Sequence, residues 1–326
     1  MPTSALRQRL LGCVQEGRVA SAYILEGMEG SGKLELARFF ARALCCPHSG
    51  PQGPCGSCRV CRQIEAGQYP DVTELSPEAP DKPIPVDAVR RLIGEAELTG
   101  TEAPFRVFMI RQSQAMNPAA QNALLKSMEE PHSGVVFLLL TDDRKALLPT
   151  VISRSVCLYL PPLTDSQMLA LLEKEFPGTP SEKLTQAVSL AGGSPGRARQ
   201  ILQEGDWLKK SRQAVEYLQE VSNSAGLAKL EVLFAPARHT RQSLVTFLSL
   251  LKLGLRDVIL YQKLKEQTVC RLFLSQAELA AVAGGISPKK AVRLLDLVER
   301  LLLQTALNVN VFAAVSSVNL CACSKN

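Results

Sequence analysis

Aromatic side chains are scarce in this chain: one Trp among 326 residues, and Phe, Tyr and Trp together make up 5%. With 46% hydrophobic and 21% charged residues, the composition is that of a Leu- and Ala-rich, mainly helical globular protein and excludes a disordered scaffold. Long hydrophobic runs are missing too. No segment approaches the roughly 20 apolar residues that cross a bilayer, and Val135 to Leu140 has only the length of a buried strand. Met1 to Arg18 is interrupted by charges and glutamines, unlike a secretory signal. The expectation from these absences is a cytoplasmic protein that makes no use of a membrane. Nor does charge of one sign dominate: 37 basic against 31 acidic residues give +6, which suits a nucleic-acid neighbour and equally suits none.

Cysteine, in contrast, is plentiful at ten residues. In a cytoplasmic chain a disulfide framework is excluded on redox grounds, so a cysteine cluster is tested first as a metal site. The cluster is Cys46-x8-Cys55-x2-Cys58-x2-Cys61, with Cys45 as a spare neighbour. Two overlapping Cys-x2-Cys units bring thiolates together through short turns, and the Pro/Gly/Ser-rich stretch after Cys46 supplies a chain reversal. Four thiolates on one Zn²⁺ leave no position open for water. Such a zinc is structural and contributes on the order of 10 kcal/mol to folding its loop. A redox role or ordinary free thiols are the alternatives, and His48 is read as a loop residue.

The first half of the chain has an α/β layout. Residues 5–17 have the period of an amphipathic helix, Ala22 to Leu25 is a short apolar strand, and a helix is predicted from Lys33 to Leu44 with Leu34, Ala37, Phe40, Ala41 and Leu44 on one face. Residues 86–97 follow as a helix after a Pro-rich connection, then a strand at Val107 to Ile110. Asn117 caps a helix that has Pro118 in its first turn and Gln121, Leu124, Leu125 and Met128 on one face, ended by Pro131. Val135 to Thr141 is a second buried strand. Short apolar strands separated by helices predict a parallel sheet covered on both faces. Beyond about residue 162 strand signals vanish and the chain is helical.

Between the first strand and its helix lies Gly27-Met28-Glu29-Gly30-Ser31-Gly32-Lys33, which matches most of a phosphate loop: backbone N–H groups and a helix N-terminus around phosphate oxygens, with Lys33 paired to them. Gly27, Gly30, Ser31, Gly32 and Lys33 are the candidate nucleotide-binding residues, and whether ATP or ADP occupies the loop is left open. In the intact motif a Ser or Thr follows the Lys and ligates Mg²⁺; here it is Leu34. The acidic pair expected at the end of a neighbouring strand is replaced by Arg111-Gln112, and a guanidinium there repels a divalent cation. Hydrolysis of ATP with Mg²⁺ in this site is not expected.

The cysteine pattern directly after the phosphate-loop helix, the segment Asn117-Pro118-Ala119-Ala120-Gln121-Asn122-Ala123-Leu124-Leu125-Lys126-Ser127-Met128-Glu129-Glu130-Pro131, and Ser153-Arg154 together resemble the clamp-loader group of AAA+ proteins. The likeness covers residues 5–200 well and the C-terminal part weakly, where only Asn308-Val309-Asn310 resembles the family's closing helix. Within the group, the gamma/tau type needs an intact ATPase site and the delta-prime type carries a degraded one, so Leu34 and Arg111-Gln112 favour the latter. The resemblance implies that Arg154 is an arginine finger reaching in trans to the ATP of a neighbouring gamma/tau subunit. Ser155 departs from the family's Cys at the next position, with Cys157 two residues further on. Thr141 falls at the position of a strand-end polar sensor and Arg197 near that of a second sensor. The implied partners are gamma/tau and delta subunits in a hetero-pentamer, and through the assembly a sliding clamp and primer-template DNA.

Three domains are expected: an AAA+ nucleotide-binding-like domain over 1–162 with a zinc insertion at 45–62, a small helical lid over 163–207, and a helical collar over 208–326 that holds subunits together. The functional alternatives are an active clamp-loader ATPase of the gamma/tau type and a zinc-containing nucleic-acid-binding module in which Arg59 and Arg62 contact DNA.

Overall fold

Five short strands pair in parallel to form one sheet: β1 (Ala22–Glu26), β2 (Val72–Leu75), β3 (Arg106–Ile110), β4 (Val135–Thr141) and β5 (Val156–Tyr159), in the order β2-β3-β4-β1-β5. This is a computed structural model, and it describes the chain except residues 1, 80–81, 97–102, 131, 204–205, 225, 236–239, 269, 274, 306–310 and 325–326. Pro131 and Asn308-Val309-Asn310 therefore lie outside the described residues. The chain divides into two compact units, Met1–Gln167 with Ser194–Gly196, and Met168–Gly193 with Arg197–Asn326.

In the first unit the helices are α1 (Pro2–Gln15), α2 (Lys33–Cys45), α3 (Arg59–Glu65), α4 (Val86–Ala96), α5 (Pro118–Glu129) and α6 (Pro149–Ser153). All seven residues of β4 are buried, as a strand covered on both faces requires. Because side chains alternate across a strand, β1 and β4 feed two cores. Tyr23, Leu25, Leu138 and Leu140 pack with Phe40 and Leu44 of α2 on one face. Ile24, Phe137 and Leu139 pack with Val89 of α4 and Leu124 of α5 on the other. The register sets Glu26 opposite Thr141 and Ile110 opposite Leu139, so the strands end on one common edge. β1 sits between β4 and β5, where chain direction across the sheet reverses, and parallel sheets bind ligands at that edge.

The expected parallel α/β sheet and its central strands are present, as is the helix capped by Asn117, whose Oδ1 accepts from the Ala120 N–H. The sequence reading did not identify β2, β5 or α3. Both strands lie at the sheet's edges, only four residues long and mostly half-buried; β2 is interrupted by Thr73 and Glu74, and β5, although apolar, is a short run directly after the turn at Arg154-Ser155. α3 has seven residues and takes its start from a cysteine.

From α7 (Asp165–Glu175) onward every regular element among the described residues is helical: α8 (Ser181–Ala191), α9 (Pro195–Gln203), α10 (Asp206–Ser222), α11 (Leu227–Phe234), α12 (Arg241–Leu264), α13 (Gln276–Gly285), α14 (Pro288–Thr305) and α15 (Val311–Cys323). Three aromatics form a cluster among these helices. Tyr217, Phe234 and Phe247 meet edge to face with centroids 4.7 to 5.9 Å apart, and the Tyr217 hydroxyl donates to Asn319 Oδ1 at 2.8 Å. A buried phenol needs such a partner.

Candidate functional site

The glycine-rich loop leaves β1 at the common strand edge and ends where α2 begins. A Cβ on Gly27 would lie 2.8 Å from Ser31 Oγ and 2.9 Å from the Leu160 carbonyl oxygen, so only glycine fits. Gly32 has φ of 93° and caps α2 without a side-chain hydrogen bond; the left-handed turn aims the helix N-terminus into the loop. The start of α9 backs the loop from the other side: Ser194 Oγ donates to the Glu29 carbonyl and the Gly196 N–H to the Gly30 carbonyl, both at 2.8 Å. Ser31 Oγ is buried and has no hydrogen-bond partner among the described residues. Leu34 is half-buried and packs against the sheet core, offering no oxygen.

Lys33 is only 12% exposed, and its ammonium donates to three protein oxygens: Gly27 O at 2.6 Å, Met28 O at 3.0 Å and Asp142 Oδ1 at 2.5 Å. Asp142 follows the last residue of β4. Gln114 holds it from the other side, Nε2 donating to Asp142 Oδ2 at 3.1 Å while the Asp142 N–H donates to Gln114 Oε1 at 3.3 Å. The sequence reading missed this carboxylate. Its only signal was its place at the end of a buried strand.

At the end of β3 the Arg111 N–H donates to the Leu75 carbonyl. Its half-exposed guanidinium lies 4.0 Å from Glu74, which also accepts from Arg38 Nε at 2.9 Å. Thr141 Oγ1 is buried and turned into its own loop, donating to the Asp143 carbonyl and accepting from the Asp143 N–H. In the second unit the Arg197 guanidinium sits 5.3 Å from the centroid of the Trp207 ring.

The cysteines form a separate knuckle in the first unit. Cys46 is the C-cap of α2, and Gly53 and Gly56, with φ of 110° and 74°, turn the chain back. Cys58 then caps α3 by accepting the Cys61 N–H. The Sγ atoms are 3.7 Å (Cys46–Cys55), 3.8 Å (Cys46–Cys58) and 4.0 Å (Cys55–Cys61) apart, and all four lie within 4.8 Å of one another. A tetrahedron with metal–sulfur bonds of about 2.3 Å has edges of about 3.8 Å, so the four thiols fit a single tetrahedral ion. The Cys58 N–H, 3.4 Å from Cys55 Sγ, helps bring that thiol down to about 6, toward the thiolate a metal requires. Cys45 faces elsewhere: its Sγ contacts the Phe105 carbonyl at 3.5 Å, and burial pushes it up to about 12. His48, Arg59 and Arg62 are exposed.

Arg154 is the C-cap of α6 and is 38% exposed. Its Nη2 pairs with Glu129 Oε1 at 2.5 Å, and Nη1 donates to the Thr150 carbonyl at 3.2 Å. The connection leading to α6 is fixed by buried Gln121, whose amide donates to the Met116 and Ala146 carbonyls and whose oxygen accepts the Leu148 N–H at 2.7 Å. Helical spacing had marked Gln121 only as a core-face residue.

A family model described as DNA polymerase III, delta subunit, matches residues 3–164. The DNA polymerase III delta-prime subunit of Pseudomonas aeruginosa is 39% identical over 186 residues, 57% of each chain. That of Escherichia coli K12 is 31% identical over 202 residues, 61% of this chain and 60% of the other. The tau/gamma subunit of Haemophilus influenzae is 34% identical over 155 residues, 48% of this chain and 22% of that protein. The matched stretch thus spans less than two thirds of the length of these delta-prime relatives. With the family model over the sheet-bearing half and the longer matches to delta-prime subunits, the chain belongs to the DNA polymerase III delta-prime family.

Proposed function

We propose that this chain is a non-hydrolysing clamp-loader subunit of a bacterial DNA polymerase III holoenzyme, which assists ATP-dependent loading of a sliding clamp onto primed DNA. It acts on nucleotide bound next door rather than in its own loop. The observation that carries this reading is the charge arrangement at the strand edge. Lys33 is paired with Asp142, and the end of β3 presents Arg111 paired with Glu74 where a hydrolytic site needs acidic metal ligands.

Arg154 is the residue assigned to the neighbouring site. It stands at the end of a five-residue helix anchored by Gln121, partly exposed and held by one carboxylate. From there a guanidinium can stabilise charge on the transferring phosphoryl group of a gamma/tau subunit, a contribution worth 10³–10⁵ in rate at one site. The partners on this reading are gamma/tau and delta subunits in a hetero-pentamer, with the clamp and primer-template DNA reached through the assembly. Residues 1–162 form the nucleotide-binding-like domain, 163–207 a lid and 208–326 a collar. Cys46, Cys55, Cys58 and Cys61 hold a structural zinc, which ties the end of α2 to the start of α3.

A loader reconstituted with Arg154→Ala is the test. DNA-stimulated ATPase and clamp loading fall while the assembly elutes unchanged on gel filtration; unaltered rates would remove Arg154 from this role. The purified chain, assayed alone, shows no Mg-dependent turnover. Turnover abolished by Lys33→Ala would instead support the gamma/tau alternative.

A further inference from the structure

We infer that Asp142 is a specificity-determining residue of the loop: a carboxylate built into the protein that takes the place of a phosphate on Lys33 and thereby excludes phosphate-bearing ligands. The inference rests on the reading above that this loop is not a working ATPase site, and it names the residue that keeps nucleotide out.

An ammonium has three hydrogens, and all three of those on Lys33 are directed at oxygens of the protein, two main-chain carbonyls and Asp142 Oδ1. A phosphate entering the loop must displace at least the carboxylate. That exchange trades one charge-assisted hydrogen bond for another and leaves Asp142 beside an incoming anion of the same sign. The carboxylate is also not free to swing away. Gln114 accepts the Asp142 N–H and donates to its second carboxylate oxygen, so main chain and side chain are gripped by one amide. Gln114 lies on the turn that follows Arg111-Gln112. The same segment that lacks the acidic metal ligands therefore supplies the residue that orients the substitute anion.

The rest of the loop retains what an anion needs. Gly32 presents the N-terminus of α2, and Ser31 Oγ is buried with no hydrogen-bond partner among the described residues. Ser194 and Gly196 brace the loop through the Glu29 and Gly30 carbonyls, while the Gly27 and Ser31 N–H groups donate to the Thr141 and Met28 carbonyls, so the cradle on offer is the N-terminus of α2 together with Ser31 Oγ. Affinity in this loop is thus set by the state of Lys33 rather than by loss of the cradle.

Isothermal titration of the full chain with ADP, in Mg-free buffer without chelator so that any zinc is retained, tests this. Asp142→Asn is expected to tighten ADP binding at least about tenfold over the parent, since the residue exchanges an ion pair for a neutral amide. Adding Lys33→Ala to Asp142→Asn is expected to abolish the gain. Gln114→Ala, which frees the carboxylate without removing it, gives a smaller gain in the same direction and serves if Asp142→Asn does not fold. Equal affinity for the parent and both variants, or a gain that survives Lys33→Ala, overturns the inference. The loader assay with Arg154→Ala is independent of ADP affinity in this loop, so the two readings can fail separately.

Discussion

The cysteine knuckle and the phosphate loop are both short motifs at the ends of α2, and they have had opposite outcomes. At the C-terminal end, four thiols converge at spacings that match one tetrahedral ion. At the N-terminal end, the glycines and Lys33 are in place, yet the cation is already satisfied by Asp142. A metal knuckle is self-contained, because ligands within 16 residues of one another complete the coordination. A nucleotide site is distributed: its metal ligands and water-positioning groups come from other strands, so substitutions far away in sequence can disable it while the loop keeps its form.

That contrast can be broken most directly at the knuckle. Cys61→Ser is expected to remove bound zinc, from one per chain by a colorimetric assay to near none, and with it most of a metal contribution on the order of 10 kcal/mol to local order. Proteolysis between residues 46 and 61 should rise accordingly. At the loop, Gly196→Ala sets a Cβ 2.8 Å from Gly30 Cα, and should lower stability in denaturant titration by about 1–3 kcal/mol. Gly94→Ala, inside α4 with nothing within 4 Å, should instead raise it by about 0.5–1 kcal/mol. Cys45→Ala separates the spare thiol from the ligands: zinc content stays at one, and stability drops by about 1 kcal/mol for a small buried side chain. The smallest effect is expected for Arg59→Ala with Arg62→Ala, within about 0.5 kcal/mol for exposed charges. These changes leave zinc intact and produce no loss of salt-dependent DNA binding by the isolated chain. A large loss would favour the nucleic-acid-binding alternative.

Much of this was legible from residue order alone. Continuous apolar runs mark β1, β3 and β4 because central strands of a parallel sheet are buried on both faces. Asn117 and Pro118 mark the start of α5 because capping is a property of adjacent residues. The four cysteines that the structure brings together are those that the spacing picks out, and Leu34 and Arg111 stand where the motif expects a hydroxyl and an acidic residue. The edge strands β2 and β5 were not legible: each has four residues, β2 carries Thr73 and Glu74, and most of their side chains are only half-buried. Gln121 showed itself only as a helix-face residue; its three hydrogen bonds to main chain at Met116, Ala146 and Leu148 exist because the fold brings those segments to it. The pairing of Lys33 with Asp142 lies furthest from the reach of sequence. The two residues are 109 positions apart and meet because β1 and β4 are neighbours with Glu26 opposite Thr141. Local spacing determines what a short motif can bind, whereas strand order and register decide which distant charge arrives there first.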